Sequence, residues 1–111
     1  DITHGEGLAI VTPRWMRHIL NNTTGELHDQ VVERITSFGK NVFGTSTPEE
    51  SIQAIHEFYE SIGIPMTLRE VGIDDSRIGE MARHIANNEG LDNAWVPLHE
   101  EDIAAILRDC L

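Results

Sequence analysis

Apolar residues recur along this chain at spacings of three and four, and no segment alternates convincingly with a period of two. Such spacing gathers apolar side chains on one face of a helix, and it leaves no pattern for a half-buried strand. Leu8, Val11, Trp15 and Ile19 form the first stripe, on a helix expected at about residues 6 to 20. Pro13 falls inside it; proline removes a backbone donor and clashes with the preceding turn, so a kink or short break is expected there. A second helix is expected from Glu26 to Asn41, with Leu27, Val31, Ile35, Phe38 and Val42 in line. Thr36, Ser37 and Gly39 should weaken its C-terminal half.

The third helix has the clearest start. Thr47 suits the N-cap, Pro48 the first helical position, and Glu50 completes a capping box. Ile52, Ile55, Tyr59 and Ile62 line one face with Phe58 alongside, and Gly63 is placed to stop the helix. Pro65 holds Ile64 out of helical geometry. Leu68 and Val71 fit a short helical turn before Gly72, and Asp74 or Asp75 caps a fourth helix striped by Ile78, Met81, Ala82 and Ile85. A last helix begins near Glu100, with Ile103, Ile106 and Leu107 facing inward and Cys110 just beyond. Glu100, Glu101 and Asp102 suit its positive end, whereas His99 is an unusual N-cap. The 111 residues therefore read as one all-α domain, a bundle of about five helices.

Composition narrows the partners. Only 5% of residues are aromatic against 40% hydrophobic, so Ile, Leu and Val must build the core. The formal net charge is -11, and the basic residues form no patch beyond Arg14 and Arg17. Such a chain repels nucleic acid and anionic membrane surfaces, and neither is expected as a partner. No stretch approaches the roughly 18 apolar residues of a membrane span. A single cysteine permits no internal disulfide, and no signal-peptide pattern opens the chain, so a cytoplasmic location is expected. The chain begins without Met and reads as a segment of a longer polypeptide.

Six histidines are many for this length, but none has the HExxH spacing or another recognised metal-site spacing. His18, His28, His56 and His84 are expected in structural roles. Gly5-Glu6-Gly7 is too short for a phosphate loop and follows no strand. His4 stands apart, immediately before two glycines and a helix start. Glycine admits close approach to the backbone, and a helix N-terminus favours the neutral imidazole that a divalent metal requires. Pattern alone leaves His4 open to two readings, a terminal surface residue or a metal ligand.

"THGEGLAIVTPRWMRHIL" resembles the second histidine motif of the iron-containing alcohol dehydrogenases, and within them the butanol dehydrogenase branch. "GIPMTLREVGID" is similar to that family's Gly-Ile-Pro stretch, and "PLHEEDIAAIL" to its closing Glu-Asp-Ile helix. The resemblance implies that residues 1–111 are the C-terminal part of a helical metal-binding domain of dehydroquinate-synthase-like type. It places His4 on the last of three histidine ligands. The fourth ligand, an Asp, and the other two histidines would lie upstream of Asp1, as would the whole NAD- or NADP-binding domain. The implied reaction moves hydride between the nicotinamide and a primary alcohol or aldehyde such as butanol or butanal. Fe²⁺, or Zn²⁺ in its place, would polarise the oxygen.

No catalytic or cofactor-binding residue is assigned within this chain, which alone should be inactive. The implied partners are its own upstream domain, a small alcohol or aldehyde, and a second copy in a homodimer. His99 departs from the Ser or Thr common at that cap in relatives. Two other readings stand beside this one: a freestanding helical interaction module, and a metal site assembled by oligomerisation around His4. If the chain is a piece of the enzyme, an apolar surface near Leu8, Val11 and Trp15 should be left uncovered.

Overall fold

The structure is a computed structural model that describes residues 4–111, and side chains from Gly5 onward. Five α-helices run through the described residues: α1 (His4–Asn22), α2 (Gly25–Phe43), α3 (Pro48–Ser61), α4 (Ile78–Asn88) and α5 (Glu100–Asp109). Short 3-10 turns at Arg69–Val71, Asp75–Arg77 and Leu91–Asn93 punctuate the connections, and the described residues contain no strand. The helices α2 and α3 pack as one pair and α4 and α5 as another, while α1 touches α2, α3 and α5. The Cα atoms span 37 × 34 × 18 Å, a slab with one short dimension.

The helix α1 joins the two pairs because it buries apolar groups on more than one side. Ile10 and Ile19 are fully buried, with Ala9, Pro13 and Leu20 beside them. This differs from the expected stripe: Leu8 is 53% exposed, and Val11 and Trp15 are half-buried. The expected break at Pro13 is also absent, and α1 is continuous through it. Side chains reinforce the turn that the proline disturbs. Thr12 Oγ1 donates to the carbonyl of Leu8, and Arg14 Nη1 to that of Ile10 at 3.0 Å. Packing on several sides thus keeps the segment helical across the proline.

The second pair meets a different constraint. Gly39, expected to weaken α2, is buried where α3 crosses it, and α2 continues to Phe43. A Cβ at Gly39 would overlap the side chains of Ser51 and Thr45. Ser51 is itself fully buried; its hydroxyl donates to the Thr47 carbonyl at 2.9 Å and lies 3.1 Å from Thr45 Oγ1. The missing side chain is thus what lets the helices approach. The capping box at Thr47 and Glu50 forms as the sequence reads. Gly44 and Gly63 take left-handed backbone after α2 and α3, and the next amide bonds back to Gly39 and Tyr59 respectively. Val42 and Ile62, expected inward, lie 59% and 58% exposed at these far ends, beside an aromatic run of Phe38, Phe43, Phe58 and Tyr59.

The connection after α3 is pinned between α1 and α5. Arg14 Nη1 donates to the Met66 carbonyl, and the Leu68 amide donates to the Cys110 carbonyl at 2.7 Å. Met66, Leu68 and Cys110 are all buried. No described helix is long and apolar enough to cross a membrane.

Two measurements test this packing. Gly39→Ala should cost about 1–3 kcal/mol by overpacking, read as a lower urea midpoint at unchanged slope. Gly79→Ala, with open space around its added carbon, should instead gain about 0.5–1 kcal/mol from helix propensity. Burial pushes the Cys110 thiol up to about 11. A thiol raised on folding contributes stability that is complete below its unfolded value and is lost as pH climbs through the folded one. Native protein at pH 8 should therefore react slowly with a thiol reagent, and stability should fall from about pH 9 toward pH 11.

Candidate functional site

His4 opens α1, so the helix starts two residues earlier than the apolar pattern suggests. The metal-ligand expectation for His4 falls on a side chain outside the described residues. Next to it, Gly5 lies in ordinary helix, and nothing stands within 4 Å of where its Cβ would be. Among the described residues no three His, Cys, Asp or Glu side chains come together in a way that could hold a metal ion.

The other histidines have partners near at hand. His28 Nδ1 lies 3.2 Å from Thr23 Oγ1, and His56 Nε2 3.7 Å from Glu60. His84 Nδ1 lies 3.3 Å from the Asn88 amide, which also donates to the His84 carbonyl at 2.7 Å. Asn22 donates likewise to the His18 carbonyl at 2.8 Å. These two devices sit in the same local sequence, Arg-His-Ile-x-Asn-Asn, at the ends of α1 and α4.

His18 does more than end its helix. Its Nε2 lies 3.2 Å from Asp102 Oδ1 on α5, with only 11% of the His18 side chain exposed. The other Asp102 oxygen accepts the backbone amide of His99 at 3.0 Å. One carboxylate therefore caps α5 and ties it to α1. This answers the unusual cap at His99, because the residue three positions on satisfies the orphan amide. Together with Arg14, this contact fixes α1 at two points along its length.

Beside α1 the structure opens a cleft of about 450 Å³. Val11 and Trp15 of α1, Ile106 and Leu107 of α5, and Leu91 and Val96 of the intervening segment are among its walls. None of the lining residues carries a charge, a hydroxyl or an amide. The outer wall is held in place by Trp95, whose Nε1 donates to Gln30 Oε1 at 3.3 Å. The guanidinium of Arg34 stacks 4.6 Å from the Trp95 ring centroid, a cation–π contact. The Leu98 amide closes the loop onto the Leu91 carbonyl at 2.9 Å. Sequence reasoning anticipates uncovered apolar surface at Leu8, Val11 and Trp15, but not the wall opposite. Residues 89–98 show no periodicity, and only the tryptophan among them hints at docking.

A helical slab whose first helix begins at a histidine can be set against known proteins. The model of the Fe-containing alcohol dehydrogenase family, C-terminal, matches residues 1–111. The chain belongs to that family. It is 37% identical to NADH-dependent butanol dehydrogenase A of Clostridium acetobutylicum, over 97% of this chain and 28% of that protein. It is 32% identical to a probable NADH-dependent butanol dehydrogenase of Bacillus subtilis, over 100% of this chain and 28% of that one. Among solved structures, a 1,3-propanediol oxidoreductase superposes with a TM-score of 0.73 at 28% identity, covering 100% of this chain and 29% of that one. A butanol dehydrogenase from Thermotoga maritima superposes with a TM-score of 0.77 at 24% identity, covering 99% of this chain and 29% of that one, and shares the fold. The chain spans less than a third of the length of these relatives.

The α1–α5 tether makes a direct prediction. Asp102→Ala should lower stability by about 1–2 kcal/mol through loss of the cap and the contact to His18. A double-mutant cycle with His18→Ala should return a coupling of about 0.5–1 kcal/mol by urea denaturation. Additive losses would show that the two side chains act independently.

Proposed function

We propose that this chain is the C-terminal, metal-side part of a nicotinamide-dependent alcohol dehydrogenase that interconverts a primary alcohol and its aldehyde, butanol and butanal being the type. The observation that carries this reading is the 37% identity, along nearly the whole chain, to a protein named as an NADH-dependent butanol dehydrogenase. Relatives named for glycerol and 1,3-propanediol match less strongly, at 29% and 30% identity. They support alcohol oxidation as the general class, with NAD(H) or NADP(H) as hydride carrier.

In this reading His4 supplies one ligand to Fe²⁺ or Zn²⁺. The Asp and two His that complete the set, together with the nicotinamide site, belong to polypeptide upstream of Asp1. The described residues bring no three potential ligand side chains together, and in this reading their part is to position the helix that begins at His4. The buried core around Ile10 and the tethers at Arg14 and His18 fix the axis of α1. The start of that helix carries His4. A ligand on a rigid helix is held more closely than one on a loop, and small errors of aim are costly in catalysis. The proposed assembly includes a second copy of the whole enzyme.

The test is made on the polypeptide extended upstream to the length of its relatives. His4→Ala should reduce bound iron or zinc, measured by elemental analysis, and reduce alcohol-dependent NAD(P)H formation by at least about 100-fold. The 111-residue chain should form no NAD(P)H from butanol. Metal content and activity unchanged in the His4→Ala protein would remove His4 from the site.

A further inference from the structure

We draw no further inference here: the strongest candidate, the exposed apolar patch of Val42, Phe58 and Ile62 beside the aromatic run at the ends of α2 and α3, carries nothing because nothing in the structure shows what covers it.

Discussion

The burial of α1 between two helix pairs is the interaction on which the rest of the structure depends. Neither pair is a complete layer by itself: α2 rests on α3, and α4 on α5. Ile10 and Ile19 extend into the shared core and leave almost no surface in water. Each fully buried isoleucine contributes about 1.5–3 kcal/mol by burial. The polar contacts along α1 add direction to that non-directional attraction. Arg14 takes the carbonyl of Met66, and His18 meets the carboxylate that caps α5. Apolar burial brings the helix in, and these contacts fix its rotation and register.

Much of the fold is legible because the chain marks its boundaries with local chemistry. The capping box at Thr47 and Glu50 and the left-handed glycines at 44 and 63 are written in a few neighbouring residues each; Asp74 also caps, but it caps the 3-10 turn Asp75–Arg77 that leads into α4 and not α4 itself, which starts after Arg77. The features that periodicity misses depend on residues distant in sequence. Pro13 reads as a breaker until the groups around it are known, and Gly39 reads as a weak helix former until Ser51 is placed against it. Periodicity misjudges the inward line of α1 for a similar reason. A helix packed on several sides has no single apolar stripe, so Ala9 and Ile10 outrank Leu8 although Leu8 fits the three-and-four spacing.

The site divides in the same way. His4 is readable as a ligand only through the motif around it, because its proposed co-ligands are not among residues 1–111. The structure adds the means of aiming the helix it begins. Asp102 reads as a favourable charge at a helix start, and it is that, with one oxygen on the His99 amide. Its second oxygen reaches His18, 84 residues earlier in the chain. The Arg-His-Ile-x-Asn-Asn segment at the ends of α1 and α4 is a visible signal that periodicity does not use. In both copies an asparagine folds back on the histidine carbonyl, but only His18 faces a carboxylate from another helix.

The contact between Cys110 and the Ile10 carbonyl spans 100 residues. During synthesis α1 is made first among these helices, and α5, which helps to cover it, last. At about 5–20 residues per second the interval between them is several seconds, far longer than a helix or hairpin needs to form. Throughout it α1 lacks α5, one of the three helices on which it packs. Among these five helices the central element is thus the one that waits longest for its full set of partners while the chain is being made.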